Sequence, residues 1–204
     1  MDGKIFCFMG KSASGKDTIF KELSKAFPSI SEIILYTTRP IRENETNGIQ
    51  YNFVTEEIFK FMLDNNMVIE SRSYNTKHGI WTYFTASSNI DLNNNYMIIN
   101  TLEGYQKISK YFGKENVIPI YIEVEDGTRL ERALERERKE KNPKYSELCR
   151  RFLADQEDFS ESNILQAGIQ RKFVNNDLNE CITEIKKYIT DTINKDKNKV
   201  KIKI

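Results

Sequence analysis

The chain has 204 residues, with 31 lysines and arginines against 30 aspartates and glutamates, for a formal net charge of +1. This near balance excludes a general nucleic-acid binder, which carries a net basic field. Hydrophobic residues make up 39% of the sequence and charged residues 30%, the composition of a soluble globular protein and not of a disordered one. Apolar runs fall well short of the roughly 18–20 residues of a transmembrane helix, so we expect no membrane partner.

Cysteine and histidine are sparse. The cysteines, Cys7, Cys149 and Cys181, are odd in number and far apart, which predicts reduced thiols in a cytoplasmic protein and neither a disulfide framework nor a zinc site. The one histidine, His78, argues against a histidine-rich metal centre. The apolar run after Lys4 is too short for a secretory signal. The sequence has neither a coiled-coil heptad nor a conspicuous apolar repeat, so it leaves the oligomeric state undefined.

Strand and helix patterns alternate along the chain. The apolar run Ile5–Met9 ends at a glycine, which is typical of a strand covered on both faces. Apolar residues then recur every four positions at Ile19, Leu23 and Phe27, which predicts a helix. Further predicted strands are 33–36, 51–54, 67–72, 80–84, 96–99, 117–124 and 172–174, and further predicted helices are 55–63, 103–111 and 178–189. This alternation predicts an α/β fold with a parallel sheet flanked by helices.

Two segments are strongly charged. The region 128–159 is dense in arginine and lysine and predicts two exposed helices joined near Pro143. The end of the chain, 191–204, alternates lysine, asparagine and aspartate with few large apolar residues, so we expect a frayed, solvated end there.

The strongest local signal is a glycine-rich turn between the first predicted strand and the first predicted helix. Its sequence is Gly10-Lys11-Ser12-Ala13-Ser14-Gly15-Lys16-Asp17-Thr18. Glycines let consecutive backbone N–H groups face a polyphosphate, the helix N-terminus adds partial positive charge, and Lys16 adds a full one. The turn therefore predicts a phosphate-binding loop for ATP, and the alternative is a strand–helix turn that binds nothing.

Asp17 follows the loop lysine, where the usual pattern has a serine or threonine that ligates Mg²⁺. A carboxylate can hold Mg²⁺ directly or through water. Alternatively, Thr18 forms a local hydrogen bond and the metal is held mainly by nucleotide and water. Asp17 is thus the candidate ligand for a Mg²⁺ cofactor.

A second motif is rich in arginine. It reads Tyr36-Thr37-Thr38-Arg39-Pro40-Ile41-Arg42-Glu43-Asn44-Glu45-Thr46-Asn47-Gly48-Ile49-Gln50-Tyr51-Asn52-Phe53-Val54. Arg39 and Arg42 can converge on one phosphate, because the guanidinium fork matches phosphate oxygens, and Tyr51 can donate its hydroxyl to the same group. Taken alone, the motif is better explained by surface arginines paired to Glu43 and Glu45, since most surface charges are only solvated.

The two motifs together closely resemble the guanylate kinase family, whose members transfer a phosphoryl group from ATP to GMP. The resemblance covers about residues 4–190 and includes Glu70, the arginine-rich helices and the run Val174-Asn175-Asn176-Asp177-Leu178. It implies a P-loop NTPase-type parallel sheet, with a small mixed β region for the nucleoside monophosphate and a helical lid. The implied boundaries are a core of 1–36, 87–126 and 159–190, an acceptor region at 37–86, a lid at 127–158 and a flexible tail at 191–204.

The resemblance also implies roles for residues that match the family's motifs. On the donor side, Gly10 to Thr18 would bind ATP, Asn175 would lie near its adenine, and Arg136 and Arg151 would be lid arginines that bridge the phosphates. On the acceptor side the implied residues are Arg39, Arg42 and Tyr51 on the phosphate, Glu45 in support of them, Glu70 and Thr101 on the guanine, and His78-Gly79 in place of a Tyr-Gly pair, with His78 on the phosphate.

Departures from the family pattern concern the base. Leu35 stands where the family has a serine that contacts guanine, and Ile99 and Thr101 stand where it has paired aspartates, with Asn100 and Glu103 as the nearest polar residues. A pocket that reads a base loses discrimination when its polar groups become apolar. One alternative is therefore a kinase for another monophosphate, such as dGMP or IMP. A second is a non-catalytic binding module for phosphorylated partners, although such modules typically lose the loop lysine.

Overall fold

The computed structural model describes residues 3–76, 79–88 and 90–201, with side chains through residue 195. The strands are β1 (Ile5–Met9), β2 (Ser31–Glu32), β3 (Tyr36–Thr37), β4 (Asn52–Phe53), β5 (Val68–Thr76), β6 (Gly79–Ala86), β7 (Tyr96–Ile99), β8 (Val117–Glu123) and β9 (Lys172–Val174). The helices are α1 (Lys16–Ala26), α2 (Glu56–Asp64), α3 (Leu102–Phe112), α4 (Asp126–Arg138), α5 (Tyr145–Asp158), α6 (Glu161–Gln166) and α7 (Leu178–Lys201). None of the helices so described is long and apolar enough to span a bilayer.

A parallel sheet forms the core, in the order β2-β7-β1-β8-β9. Every residue of the central strand β1 is buried, because its side chains alternate between two hydrophobic layers. Ile5, Cys7 and Met9 pack on the side of α3 and α6, and Phe6 and Phe8 pack on the side of α1 and α7. The prediction of an α/β fold with a helix-flanked parallel sheet is confirmed.

A second, mixed sheet runs in the order β4-β3-β6-β5. The strands β3 and β4 are parallel, whereas β6 is antiparallel to both of its neighbours. One face of this sheet is covered by α2 through a small core at Phe84, whose ring lies 5.0 Å from that of Tyr36 and 4.8 Å from that of Phe59. The strand β5 thereby brings its polar side chains next to α3.

Three elements differ from the sequence-based expectation. The apolar run 33–36 is not one strand, because the chain leaves the parallel sheet at Ile33, which bonds Met97, and joins the mixed sheet at Leu35, which bonds Asn52. The helix α6 was not predicted, although Ser160 caps it and Ile164 is buried beneath it. The last helix continues as far as residue 201, so 191–201 is helical where a frayed end was expected.

Candidate active site

The glycine-rich turn joins β1 to α1 at the carboxyl edge of the parallel sheet, where α/β proteins commonly bind ligands. Gly15 is the N-cap of α1 and has a φ of 83°, a conformation that favours glycine. A Cβ atom on Gly15 would lie 2.5 Å from the amide nitrogen of Asn175. That amide donates a hydrogen bond of 2.8 Å to the carbonyl of Ser14, so Asn175 supports the backbone of the loop.

Asn175 is 3% exposed, and its Oδ1 has no hydrogen-bond partner within the described part of the chain. The neighbouring Asn176 lines a separate pocket with Lys11 and Val174, beside the carboxyl ends of β8 and β9. The hydroxyl of Ser14 is also buried and unpaired among the described residues. Two buried polar atoms near the loop, the Ser14 hydroxyl and the Asn175 Oδ1, are thus without a hydrogen-bond partner among the described residues. The sequence analysis did not identify Asn176 as a pocket residue.

Lys16 is the first residue of α1, and its Nζ lies 3.7 Å from a carboxylate oxygen of Asp17. The side chain of Asp17 is 75% exposed, and Thr18 is exposed as well. Where side chains are described, no group of three or more acidic, histidine or cysteine residues is arranged to hold a metal ion. A single carboxylate beside the phosphate loop fits Mg²⁺, which commonly takes one or two carboxylates and completes its shell with substrate phosphates and water.

A buried arginine connects the loop to the helices α4 and α5. Arg129 is 1% exposed, and its guanidinium donates to the carbonyl of Ser12 at 3.0 Å and to Asp126 at 2.7 and 3.0 Å. It also lies 3.5 Å from a carboxylate oxygen of Asp155 and 4.6 Å from the ring centre of Phe152. The sequence predicted this region to be exposed, and Arg129 departs from that expectation because two carboxylates and a ring surround it.

The same helices engage donors of the phosphate loop. The backbone N–H of Ser12 donates to Asp155 at 2.7 Å, and Lys11 donates to Asp126 at 3.4 Å and to Gln156. Burial opposes ionisation of Asp126, but hydrogen bonds from Gln156 and Arg129 outweigh it and lower the pKa of that carboxyl. Carboxylates of α4 and α5 thus bond loop groups that also suit a phosphate.

The arginine motif forms a second cluster. Arg39 is 3% exposed and makes a bidentate pair with Glu45 at 2.7 and 2.9 Å, while its Nε donates to the hydroxyl of Tyr83 at 3.2 Å. The hydrogen bond from Arg39 lowers the pKa of Glu45. Arg42 is exposed, and its backbone N–H donates to Glu45 at 2.9 Å. Most of the guanidinium of Arg39 is therefore engaged, whereas Arg42 lines a cleft together with Tyr51.

The predicted base-reading residues lie in a polar cluster between β5 and β7. Glu70 is 3% exposed, and its Oε1 accepts hydrogen bonds from Thr85 at 2.8 Å, Asn100 at 3.3 Å and Arg72 at 3.4 Å. Arg72 also donates to the hydroxyl oxygen of Thr101 at 2.7 Å. The sequence analysis missed Arg72, although period-two alternation along β5 places it on the same face as Glu70.

One cleft of about 1570 Å³ connects these parts. The cleft is lined by Lys16 of the phosphate loop and by Arg42 and Tyr51 of the arginine motif. In the predicted base region, the cleft is lined by Leu35, Arg72, Ile99 and Thr101. Arg150 and Arg151 of α5 line the same cleft. The structure thus brings the donor-side lysine, the acceptor-side arginine and the predicted base region to one space.

The two predicted lid arginines lie on facing helices. Arg136 on α4 and Arg151 on α5 line a small groove together with Ser12 of the phosphate loop. Arg151 pairs with Glu147 at 2.9 Å, and Arg150 pairs with the same carboxylate at 2.8 Å. The hydrogen bond from Arg150 is the main cause that lowers the pKa of Glu147 to about 2.

The remaining predicted pair is only partly described. His78 lies outside the described residues. Gly79 is exposed at the start of β6 with a φ of 106°, and its carbonyl accepts a hydrogen bond from Thr76 at 2.7 Å. Gly79 is therefore a hairpin residue at the rim of the mixed sheet, beside Thr76, which lines the cleft.

The chain is similar to known guanylate kinases. A family model described as guanylate kinase matches residues 2–192. The guanylate kinase of Helicobacter hepaticus is 30% identical over 111 residues, which are 54% of this chain and 56% of the relative. That of Bacteroides thetaiotaomicron is 28% identical over 124 residues, 60% of each chain. The chain thus spans 56% to 60% of the length of these curated relatives.

The fold is likewise shared with a solved structure. The crystal structure of guanylate kinase from Anaplasma phagocytophilum superposes with a TM-score of 0.62 at 22% identity, over 93% of this chain and 85% of that one. At this identity the likeness supports the common fold, and the family match supports the relationship. The chain belongs to the guanylate kinase family.

Proposed function

We propose that this chain is a nucleoside monophosphate kinase that transfers the γ-phosphoryl group of ATP to GMP or a closely related acceptor. One observation carries the proposal: Lys16 of the phosphate loop and Arg42 of the arginine motif open onto the same cleft. A cation at each phosphate position is the arrangement that phosphoryl transfer between two nucleotides requires, because the protein's task is positioning and charge neutralisation. Membership of the guanylate kinase family supports the same reaction.

On the donor side, the loop from Gly10 to Thr18 would hold the ATP phosphates through its N–H groups and Lys16. A phosphate oxygen would take the place of the Asp155 carboxylate on the N–H of Ser12. Asp17 would hold Mg²⁺ together with the nucleotide phosphates, and the metal would supply further neutralisation of their charge. Asn175 would support the loop below the adenosine.

On the acceptor side, Arg42 and Tyr51 would bind the monophosphate, with Arg39 and Glu45 fixing the local backbone. The bond between the γ-phosphorus and its bridging oxygen would break as an acceptor phosphate oxygen forms a new bond in line with it. Arg136 and Arg151 would stabilise charge on the moving group, and the lid would exclude water. This assigns ADP and a nucleoside diphosphate as products.

A non-catalytic binding module is the second candidate. It would be favoured if the loop lacked its lysine, yet Gly10, Gly15 and Lys16 are all present. We place the reaction in the cytoplasm, where thiols such as the buried Cys7 and Cys181 stay reduced.

The test replaces Lys16 by alanine and measures ADP release with ATP, Mg²⁺ and GMP. Removing one group that stabilises transferring charge commonly lowers kcat by about 100-fold to 1000-fold, so we expect a loss of about 100-fold or more. Lys21→Ala is the matched control, since Lys21 is exposed on the same helix. Wild-type turnover by Lys16→Ala would contradict the donor site, and ATP binding without ADP release by the wild type would support the binding module.

A further inference from the structure

We propose that Arg72 is the residue that reads the acceptor base, that it selects purines carrying a carbonyl at C6, and that Glu70 positions Arg72 instead of contacting the base. The proposal rests on the proposed function and names the substrate class of its acceptor site. It has a direct consequence: a 2-amino group on the purine contributes little, so hypoxanthine and guanine monophosphates are accepted alike.

The first step concerns Glu70, which is enclosed. Its side chain has 0% exposure, and Thr85, Asn100 and Arg72 all donate to its Oε1. Its Oε2 lies 3.2 Å from the Nε of Arg72. Arg72 lines the cleft, and the carboxylate lies behind it. A base that entered the cleft would therefore meet the guanidinium before the carboxylate.

The second step concerns how Arg72 is held. Glu70 pairs with it on one side, and Thr101 accepts a 2.7 Å hydrogen bond from it on the other. Thr101 itself is fixed as the N-cap of α3, where its hydroxyl oxygen also accepts the N–H of Gly104. Because its guanidinium is held by both Glu70 and Thr101, Arg72 is already ordered before a ligand binds. It therefore loses less side-chain conformational entropy on binding.

The third step is the hydrogen-bonding inventory. A guanidinium carries five N–H donors and no acceptor. Arg72 donates to Thr101 and to Glu70 through one N–H of each terminal nitrogen, and its Nε faces the Oε2 of Glu70 at 3.2 Å. Two terminal N–H groups therefore remain without a partner among the described residues. The hydroxyl oxygen of Thr101 already accepts hydrogen bonds from Arg72 and Gly104. Only the O–H donor of Thr101 is therefore left for a ligand, among the contacts described. Arg72 and Thr101 thus offer hydrogen-bond donors to the cleft, and the neighbouring lining residues Leu35 and Ile99 are apolar.

Donors of this kind select the base. The O6 and N7 atoms of guanine and hypoxanthine are neighbouring acceptors that match a bidentate arginine. Adenine places an amino donor at C6, which would face the guanidinium without a hydrogen bond, and a site built on hydrogen bonds rejects such an analogue strongly. The 2-amino group distinguishes guanine from hypoxanthine, and the carboxylate that would accept from it, Glu70, is enclosed behind Arg72.

The experiment measures kcat/KM for GMP, IMP and AMP, and Kd for GMP and IMP without ATP, so that the base site is tested even if turnover is absent. For the wild type we expect GMP and IMP within about threefold of each other and AMP lower by about 100-fold or more. A preference of more than about tenfold for GMP over IMP, in both kcat/KM and Kd, would overturn the proposal.

The variants separate reading from positioning. Arg72→Ala should weaken GMP and IMP equally, by about 10-fold to 100-fold and mainly through KM and Kd, and Arg72→Lys should recover only part of this because it lacks the fork. Glu70→Gln should weaken both ligands to the same extent. If Glu70→Gln weakened GMP alone, or if Arg72→Ala bound GMP as well as the wild type, the carboxylate would be the reader and the proposal would be wrong.

Two controls protect this design. Arg171→Ala removes another arginine that is paired with a carboxylate, Glu184 at 2.9 Å, outside the cleft, and it should leave all base preferences unchanged. Because Arg72→Ala leaves Glu70 buried without its cation, the double variant Glu70→Gln/Arg72→Ala removes both charges, and its thermal unfolding is measured beside it. Loss of C6 discrimination in the folded double variant supports the proposal, and retained discrimination contradicts it.

Absence of ADP release with every acceptor would contradict the proposed kinase activity, whereas the Kd comparison decides the role of Arg72.

Discussion

At the scale of single residues, the site depends on a few close approaches between the loop and its support. Gly15 combines a φ of 83° with a gap to the Asn175 amide that a methyl group would reduce to 2.5 Å. Neither feature acts alone: the backbone conformation disfavours a side chain, and the amide that would have to move also bonds the carbonyl of Ser14. The conformation of the loop therefore depends on both Gly15 and Asn175.

Gly15→Ala should therefore destabilise the protein and weaken ATP binding. Gly168→Ala is a matched control, since Gly168 has a φ of 76° but nothing within 4 Å of an added Cβ. We expect the control to cost about 1 kcal/mol from backbone strain, and Gly15→Ala to cost about 1 kcal/mol or more beyond that because Asn175 must shift. Urea denaturation and ATP titration measure both effects, and equal losses in the two variants would show that the contact with Asn175 is unimportant.

At the scale of elements, ionic contacts connect the phosphate loop to the helices α4 and α5. Arg129 bonds the loop at Ser12 and both helices at Asp126 and Asp155. Removing a buried charge leaves its partners uncompensated, which is among the costliest changes a single substitution can make. An ionic network therefore ties α4 and α5 to the phosphate loop.

Arg129→Ala should lower the free energy of unfolding by about 3 kcal/mol, since it breaks a buried ion pair. Chemical denaturation measures this loss. The exposed pair of Lys25 with Glu22, 2.8 Å apart on α1, gives the control Lys25→Ala, which should leave stability close to that of the wild type. A small effect of Arg129→Ala, like that of the control, would mean that the network does not stabilise the packing of α4 and α5 against the loop.

Much of this architecture follows from the sequence, and the exceptions have physical reasons. The helix predicted at 55–63 and the buried run Ile5–Met9 were predicted correctly because apolar patterning is a local property. The run 33–36 was not, since an apolar pattern does not say which of two sheets a strand joins. Arg129 could not be placed from charge alone, because its burial depends in part on Asp155, which lies distant in the sequence. Arg72 could have been identified, since it lies two residues after Glu70 on β5 and pairs with it.

At the scale of the whole molecule, three parts of the chain meet at one cleft. The parallel sheet supplies the phosphate loop with Lys16, the mixed sheet supplies Arg42 and Arg72, and α5 supplies Arg151. A donor and an acceptor phosphate can be neutralised together only in such a shared space, because each group alone faces a single nucleotide. The central claim is that a phosphoryl group passes across this cleft from ATP to a purine monophosphate.

The measurement that tests this claim most directly is ³¹P NMR of the wild-type protein with ATP, Mg²⁺ and GMP, followed over time. The account predicts that the ATP and GMP signals fall together while ADP and GDP rise in equal amounts, with little inorganic phosphate. If ADP and inorganic phosphate formed without GDP, or if no signal changed in the presence of bound nucleotide, phosphoryl transfer between nucleotides would be contradicted.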